Sequence, residues 1–165
     1  VTTQLSLANL KINKRASRET LAFSADIMLG EDILASAVSA GKGGAILFAW
    51  YGDTSRARGV AAARASKFVA DYVRDYGKGT VEEQGEMTVL ELTVFGLAEE
   101  ADALAWAKKR AKFALCFTTK NRLFEMSFVA TPPTDEEVLL RAEAARKKYG
   151  EVTFLNHQSV LGGSR

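Results

Sequence analysis

The first fifty residues alternate between apolar and polar side chains. In residues 20–29, Leu21, Phe23, Ala25, Ile27 and Leu29 share one parity, with Thr20, Ser24 and Asp26 on the other. A period of two over this length predicts a β-strand. Residues 5–12 begin the same way with Leu5 and Leu7, but Leu10 and Ile12 fall on the opposite parity. That change of phase near Ala8 and Asn9 predicts a β-bulge, which swaps the facing of the residues beyond it. Residues 33–40 read as a third strand because of the Gly30-Glu31-Asp32 turn before them and the strand after them. Alanine and serine alone carry little strand preference. Residues 45–51 are apolar on both parities, Ile46, Phe48 and Trp50 against Ala45, Leu47 and Ala49. This predicts a strand that is central or covered on both sides.

Beyond residue 52 the pattern changes to a helical one. Asp53, Thr54 and Ser55 offer N-caps for one long helix reaching Tyr76, with Gly77 placed at C′. Its expected inner face is Ala61, Ala65, Phe68, Val69, Tyr72, Val73 and Tyr76. Arg56, Lys67 and Arg74 lie opposite, with Arg64, Asp71 and Asp75 beside them. Residues 78–86 form a polar, acidic connection. Residues 87–95, MTVLELTVF, predict a strand by their Thr, Val and Leu content, ended by Gly96. A helix over 97–114 follows, acidic at its start and basic at its end as the helix dipole favours. Its inner face is Leu97, Ala101, Leu104, Ala107, Ala111 and Leu115, which leaves Trp106 and Phe113 among charges. Residues 115–119 and 123–131 predict a hairpin around Lys120-Asn121-Arg122. Thr134 and Glu137 form a capping box for a helix with Val138, Ala142, Ala145 and Tyr149 inward and Gly150 at its end. Residues 152–155 make a last short strand. The fold class is α+β: residues 1–160 as a single domain, a mostly antiparallel sheet with about three helices packed on it, and a disordered tail over 161–165.

Composition narrows the function classes. With 165 residues, 47% apolar and 25% charged, the chain has the make-up of an ordinary globular domain. No apolar run approaches the ~20 residues that span a bilayer. The first residues lack the basic-then-apolar order of a secretory signal. Cys116 is the lone cysteine, so no intrachain disulfide forms. Cytoplasmic localisation without a membrane partner is the expectation. The net charge of +2, from 22 basic and 20 acidic residues, is smaller than a dedicated duplex binder carries. The distribution of charge therefore matters more than its sum.

Candidate chemistry is sparse. Gly41-Lys42-Gly43-Gly44 could present backbone N–H groups to phosphate, but a P-loop needs GxxxxGK[ST] between a strand and a helix. Here the glycines lead into another strand, and a hairpin turn is the favoured reading. His157 is the only histidine, so any triad or Cys–His dyad must use it, the latter with Cys116. One histidine and one cysteine do not make an ordinary zinc site. Asp26, Asp53 and Glu91 are the carboxylates placed to serve a divalent cation, and no motif surrounds them. No catalytic residue, metal ligand or cofactor is assigned. The basic surfaces carry more weight: Lys11, Lys14, Arg15 and Arg18, the first helix, Lys108 to Lys112, and the Lys120–Arg122 tip. If they converge they form a phosphate-tracking patch, with Trp50, Tyr51 or Trp106 available to stack on bases. Trp106 and Phe113 form a candidate aromatic interaction patch. The candidate binding residues are Arg15, Arg18, Lys42, Arg56, Arg64, Lys67, Arg74, Trp106, Lys109, Arg110 and Phe113.

The segment ETLAFSA at residues 19–25, a hairpin, and GKGG at 41–44 resemble a pattern in uncharacterised small proteins of phages and related mobile elements. KKYGEVTFLN at residues 147–156 is similar to the ending of some of them. These segments cover under a fifth of the chain. Ala40 and Lys42 stand where more polar turn residues are expected, and the middle third departs freely. The resemblance implies a mobile-element origin and brings no activity with it. The leading expectation is a non-enzymatic binding protein that engages a host protein or nucleic acid through basic helix faces and an aromatic patch. The alternatives are a small phosphate-handling enzyme using residues 41–44 and a homo-oligomeric assembly protein.

Overall fold

The computed structural model describes residues 4–120 and 122–162. The alternating segments form strands β1 (Leu5–Ile12), β2 (Ala22–Leu29), β3 (Asp32–Ala40) and β4 (Leu47–Trp50). They pair in chain order as an antiparallel four-stranded sheet. The expected bulge in β1 lies between Ala8 and Lys11, where Asn9 takes a positive φ of 51°. One face of this sheet is buried: Leu5, Phe23, Ala25, Ile27, Ala35 and Ala37 all lie in the core. Helices α1 (Ser55–Arg64), α2 (Lys67–Tyr76) and the first part of α3 (Glu86–Arg110) supply the matching apolar residues, among them Val60, Ala63, Val69, Val89, Leu90 and Val94. Packing is close enough to need glycine at two points. A Cβ on Gly59 would stand 2.9 Å from the Trp50 ring, and one on Gly96 2.2 Å from the Phe68 ring.

The described residues divide into two compact units, one up to Glu100 and one from Ala101 onward, so the boundary falls inside α3. The second unit has a three-stranded antiparallel sheet ordered β6 (Arg122–Ser127), β5 (Ala114–Thr119), β7 (Thr153–Phe154), with helices α4 (Asp135–Tyr149) and α5 (Gln158–Leu161). Its core gathers Leu115, Phe117, Ala142, Ala145 and Phe154. Phe117 is its centre, with ring centroids of Tyr149 at 5.5 Å, Phe124 at 5.8 Å and Phe154 at 6.2 Å. Thr134 caps α4 as expected, its hydroxyl accepting from Glu137 N at 3.2 Å. The Glu137 carboxylate does not return to the cap. It accepts the Val129 and Ala130 N–H groups at 2.6 and 3.2 Å and so ties down the segment ahead of the helix.

The α+β class with antiparallel pairing is what the structure has. Several elements differ from expectation. Residues 87–95 are helical, the first part of the 25-residue α3, because Val89, Leu90, Val94 and Ala98 align on one buried helical face. The expected strand content came from β-branched residues that here pack inward. The long helix over 53–76 is two helices. Ser66 takes an extended conformation and accepts from Val69 N at 3.4 Å, which starts α2 afresh. That break turns the inner face of α1 to Val60, Ala62 and Ala63, leaving Ala61 and Ala65 exposed. Leu104 is likewise exposed. β4 is an edge strand, last in the sheet order, and among the described residues nothing buries its Leu47 and Ala49, which are exposed. Leu161 ends α5, and residues 163–165 of the expected tail lie outside the described residues, as does Asn121 of the hairpin turn.

Candidate nucleic-acid interface

Residues 13–21 and 41–44 connect β1 to β2 and β3 to β4 at the same end of the first sheet, since Ala22 is the register partner of Ala40. The first connection is folded by its own polar groups. Asn13 Oδ1 accepts from Ala16 N at 3.2 Å, while the Ser17 hydroxyl donates to Asn13 O and accepts from Ala22 N, both at 2.9 Å. The two connections are then joined at one atom. The Gly41 carbonyl accepts the N–H groups of Arg18, Glu19 and Thr20 at 2.9, 3.1 and 3.4 Å. Glycine is required at this position: φ is +75°, and a Cβ would lie 2.6 Å from Ala16 O and 2.7 Å from Ala22 Cβ.

This junction brings Arg15 and Arg18 to the same end as Lys42, with Lys14 also on the first connection and Lys11 near the end of β1. Arg15, Arg18, Lys42 and Lys11 are exposed, and none of these four has an acidic partner among the described residues. Glu19 is the one acid within residues 11–20. Beside the cations lies a shallow depression of about 370 Å³, lined by Lys11, Ile12, Asn13, Ser24, Val38 and Ala40 among others. It opens onto the uncovered sheet face. Register puts Lys11, Ser24, Val38 and Leu47 in one row across that face and Ala8, Asp26, Ser36 and Ala49 in the next. Leu47 is 73% exposed and Val38 47%. Val38 on β3 and Leu47 on the edge strand β4 thus leave two adjacent aliphatic side chains open to solvent on this face.

The remaining candidates are engaged elsewhere. Arg56 pairs with Glu86 at 2.8 Å, Lys67 pairs with Glu100, and Arg74 lies between Asp71 at 2.9 Å and Asp75 at 2.8 Å. Arg64 donates to the Val81 and Gln84 carbonyls at 2.9 Å and to that of Glu82 at 3.3 Å, holding the connection that leads into α3. Arg56, Lys67 and Arg74 on α1 and α2 thus each have an acidic partner. In the second unit Arg110 grips Glu125 through two bonds of 3.0 and 2.9 Å and lies 5.9 Å from the Trp106 ring, which is half-buried. Lys109 and Phe113 are exposed there.

In the glycine connection two of the backbone donors are turned to partners within the fold. Gly41 N–H donates to the Ser39 hydroxyl at 3.4 Å and Gly43 N–H to the Thr20 hydroxyl at 3.3 Å, so both donors are occupied within the fold. Cys116 and His157 share no hydrogen bond. The thiol is buried, and that burial pushes its pKa up to about 11, while His157 Nε2 is 2.7 Å from the Ala111 carbonyl. Asp26 accepts from Asn9 Nδ2 at 2.7 Å and Glu91 from Ile46 N at 2.9 Å. No group of three potential metal ligands occurs among the described residues, and no helix is long and apolar enough to cross a membrane.

Sequence reasoning named Arg15, Arg18 and Lys42 without joining them, and passed over Val38 and Leu47. The signal for Val38 was partial: Ser24, Asp26, Ser36 and Val38 share the open side of β2 and β3, but Ala22 and Leu34 at the same spacing are buried. Comparisons with protein-family models, with curated proteins and with solved structures found no match, so no family is shown for this chain and its function is read from this geometry.

Proposed function

We propose that the chain is a non-enzymatic binding protein whose basic sheet end takes the phosphate backbone of a nucleic acid. The observation that carries this reading is the Gly41 junction. It joins the two turns that carry Arg15, Arg18 and Lys42, at the sheet end where Lys11 stands on β1, while Arg56, Lys67 and Arg74 are paired with acids of the fold. Unpaired cations on a fixed scaffold release counterions when they meet phosphate, and that release is the main source of sequence-independent affinity. The resemblance to mobile-element proteins rests on residues 19–25 and 41–44, the same two segments that meet at the junction. The phosphate-enzyme alternative has less support, because two of the N–H groups in residues 41–44, those of Gly41 and Gly43, already donate within the fold.

The test is binding of labelled DNA across a salt series. Four or five phosphate contacts give a slope of log K against log salt of about −3 to −4.5. Replacing Lys11, Arg15, Arg18 and Lys42 together by Gln should remove most of that slope and at least ~100-fold of affinity at low salt. Replacing Arg56, Lys67 and Arg74 by Gln should leave both nearly unchanged. Equal losses from the two sets, or none from the first, would overturn the proposal.

A further inference from the structure

Resting on that reading, we infer that the nucleic acid is single-stranded and lies along β3 and β4, its phosphates at the basic end and its bases over Leu47 and Tyr51. Three observations lead there. The cations stand on two short turns that are bonded to each other, at the end of a flat sheet whose helices cover the opposite face. Among the described residues the basic groups at that end stand on turns and on the end of β1, whereas reading a duplex takes an element that enters the ~12 Å major groove. The open face, in contrast, suits unstacked bases. Its floor is short, with Ser24, Ser36, Ala40 and Ala49, and Val38 and Leu47 stand above it. Tyr51 follows the last residue of β4, Trp50, whose ring stacks on Phe48 on the helix side; it is 53% exposed, and extending the strand's alternation by one residue assigns it to the open side. Tyr51 lies about 13 Å along the strand from Leu47 by strand rise, and its backbone is fixed by Leu34 O, 2.9 Å from its N.

The third observation selects the track. Asp26 is the one acid among the side chains of the two rows, and it lies on β2 beside Asn9 of β1. Its charge disfavours phosphate over β1 and β2 and leaves β3 and β4 as the path leading away from Lys42. Stacking of a base on an exposed aromatic is tolerant of base identity, so binding here is without strong sequence preference.

The experiment uses the full chain and measures fluorescence anisotropy of labelled oligo-dT, a mixed-sequence duplex and poly-glutamate over about 50–200 mM salt. Oligo-dT should bind more tightly than either. Tyr51→Ala should weaken oligo-dT roughly 5- to 150-fold, Tyr51→Phe should not, and duplex binding should move little with either. Leu47→Ser should act in the same direction as Tyr51→Ala, with thermal unfolding used to show that each variant is folded. Equal affinity for duplex, or indifference to Tyr51→Ala, would overturn the single-strand inference and leave the charge-based reading standing. Poly-glutamate binding as tight as oligo-dT would point to an acidic protein segment and overturn both. So would the absence of binding to any of the three polymers.

Discussion

Asn156 illustrates how one amide can hold a region together. Its Nδ2 donates to the Ala107 and Ala114 carbonyls at 3.1 and 3.0 Å, and its Oδ1 accepts from Cys116 N at 3.0 Å, all in a buried site. Asn156→Ala removes three side-chain–backbone hydrogen bonds from a buried site, and a loss of about 2–4 kcal/mol in urea unfolding is expected. Nothing in a single sequence separates this asparagine from a loop asparagine, because its role depends on elements more than forty residues away. Cys116, next to it, has its thiol pKa raised by burial to about 11. The unfolded thiol ionises near pH 8.5. Below that value both states keep the proton and there is no contribution. As pH rises from ~8.5 towards 11, only the unfolded state loses its proton, so stability falls. Thiol reagents at pH 8 should accordingly react slowly with the native protein and quickly once it is unfolded. Rapid reaction of the folded chain would show the burial to be wrong.

At the scale of elements, the legible parts were those with a strict period or a local cap. β2, the bulge in β1 and the Thr134 cap of α4 follow from two to ten neighbouring residues, so a reading along the chain finds them. α3 does not yield to the same treatment. Its β-branched residues favour strand by intrinsic preference, and burial against the sheet outweighs that preference by several side chains' worth of transfer free energy. Thr93 shows the accommodation: its hydroxyl donates to Val89 O at 2.8 Å one turn back and lies 2.7 Å from the Ser66 hydroxyl. Gly96 looked like the end of a strand because the real cause, the Phe68 ring, belongs to another helix. Gly96→Ala gains up to ~1 kcal/mol of helix propensity but forces the ring aside at a cost of about 1–3 kcal/mol. A net loss is expected in the wild-type background. In a Phe68→Ala background the same change should become neutral or stabilising, and a double-mutant cycle measured by denaturant unfolding would report the sign reversal.

For the molecule as a whole, composition described the charge total and concealed its arrangement. A net charge of +2 is compatible with an evenly mixed surface, yet the first unit places paired cations on its helices and unpaired ones at the end of its sheet. That segregation was not legible because ion pairing is decided by which helix faces which, and the register of the sheet decides which turns are neighbours. The uncovered face of β3 and β4 was obscured for the same reason: an apolar strand reads as interior until the number of covering elements is known. The Gly41 carbonyl adds a constraint of a different kind. Because one acceptor receives three successive N–H groups from a segment over twenty residues away in sequence, the lengths of the two connections are locked together. An inserted residue in either would pull the amides off their acceptor, whereas exchanging Arg15, Arg18 or Lys42 for another side chain leaves every backbone bond in place. Variation in such a surface is free in charge and fixed in shape, so descendants of this chain could change what they hold far more readily than where they hold it.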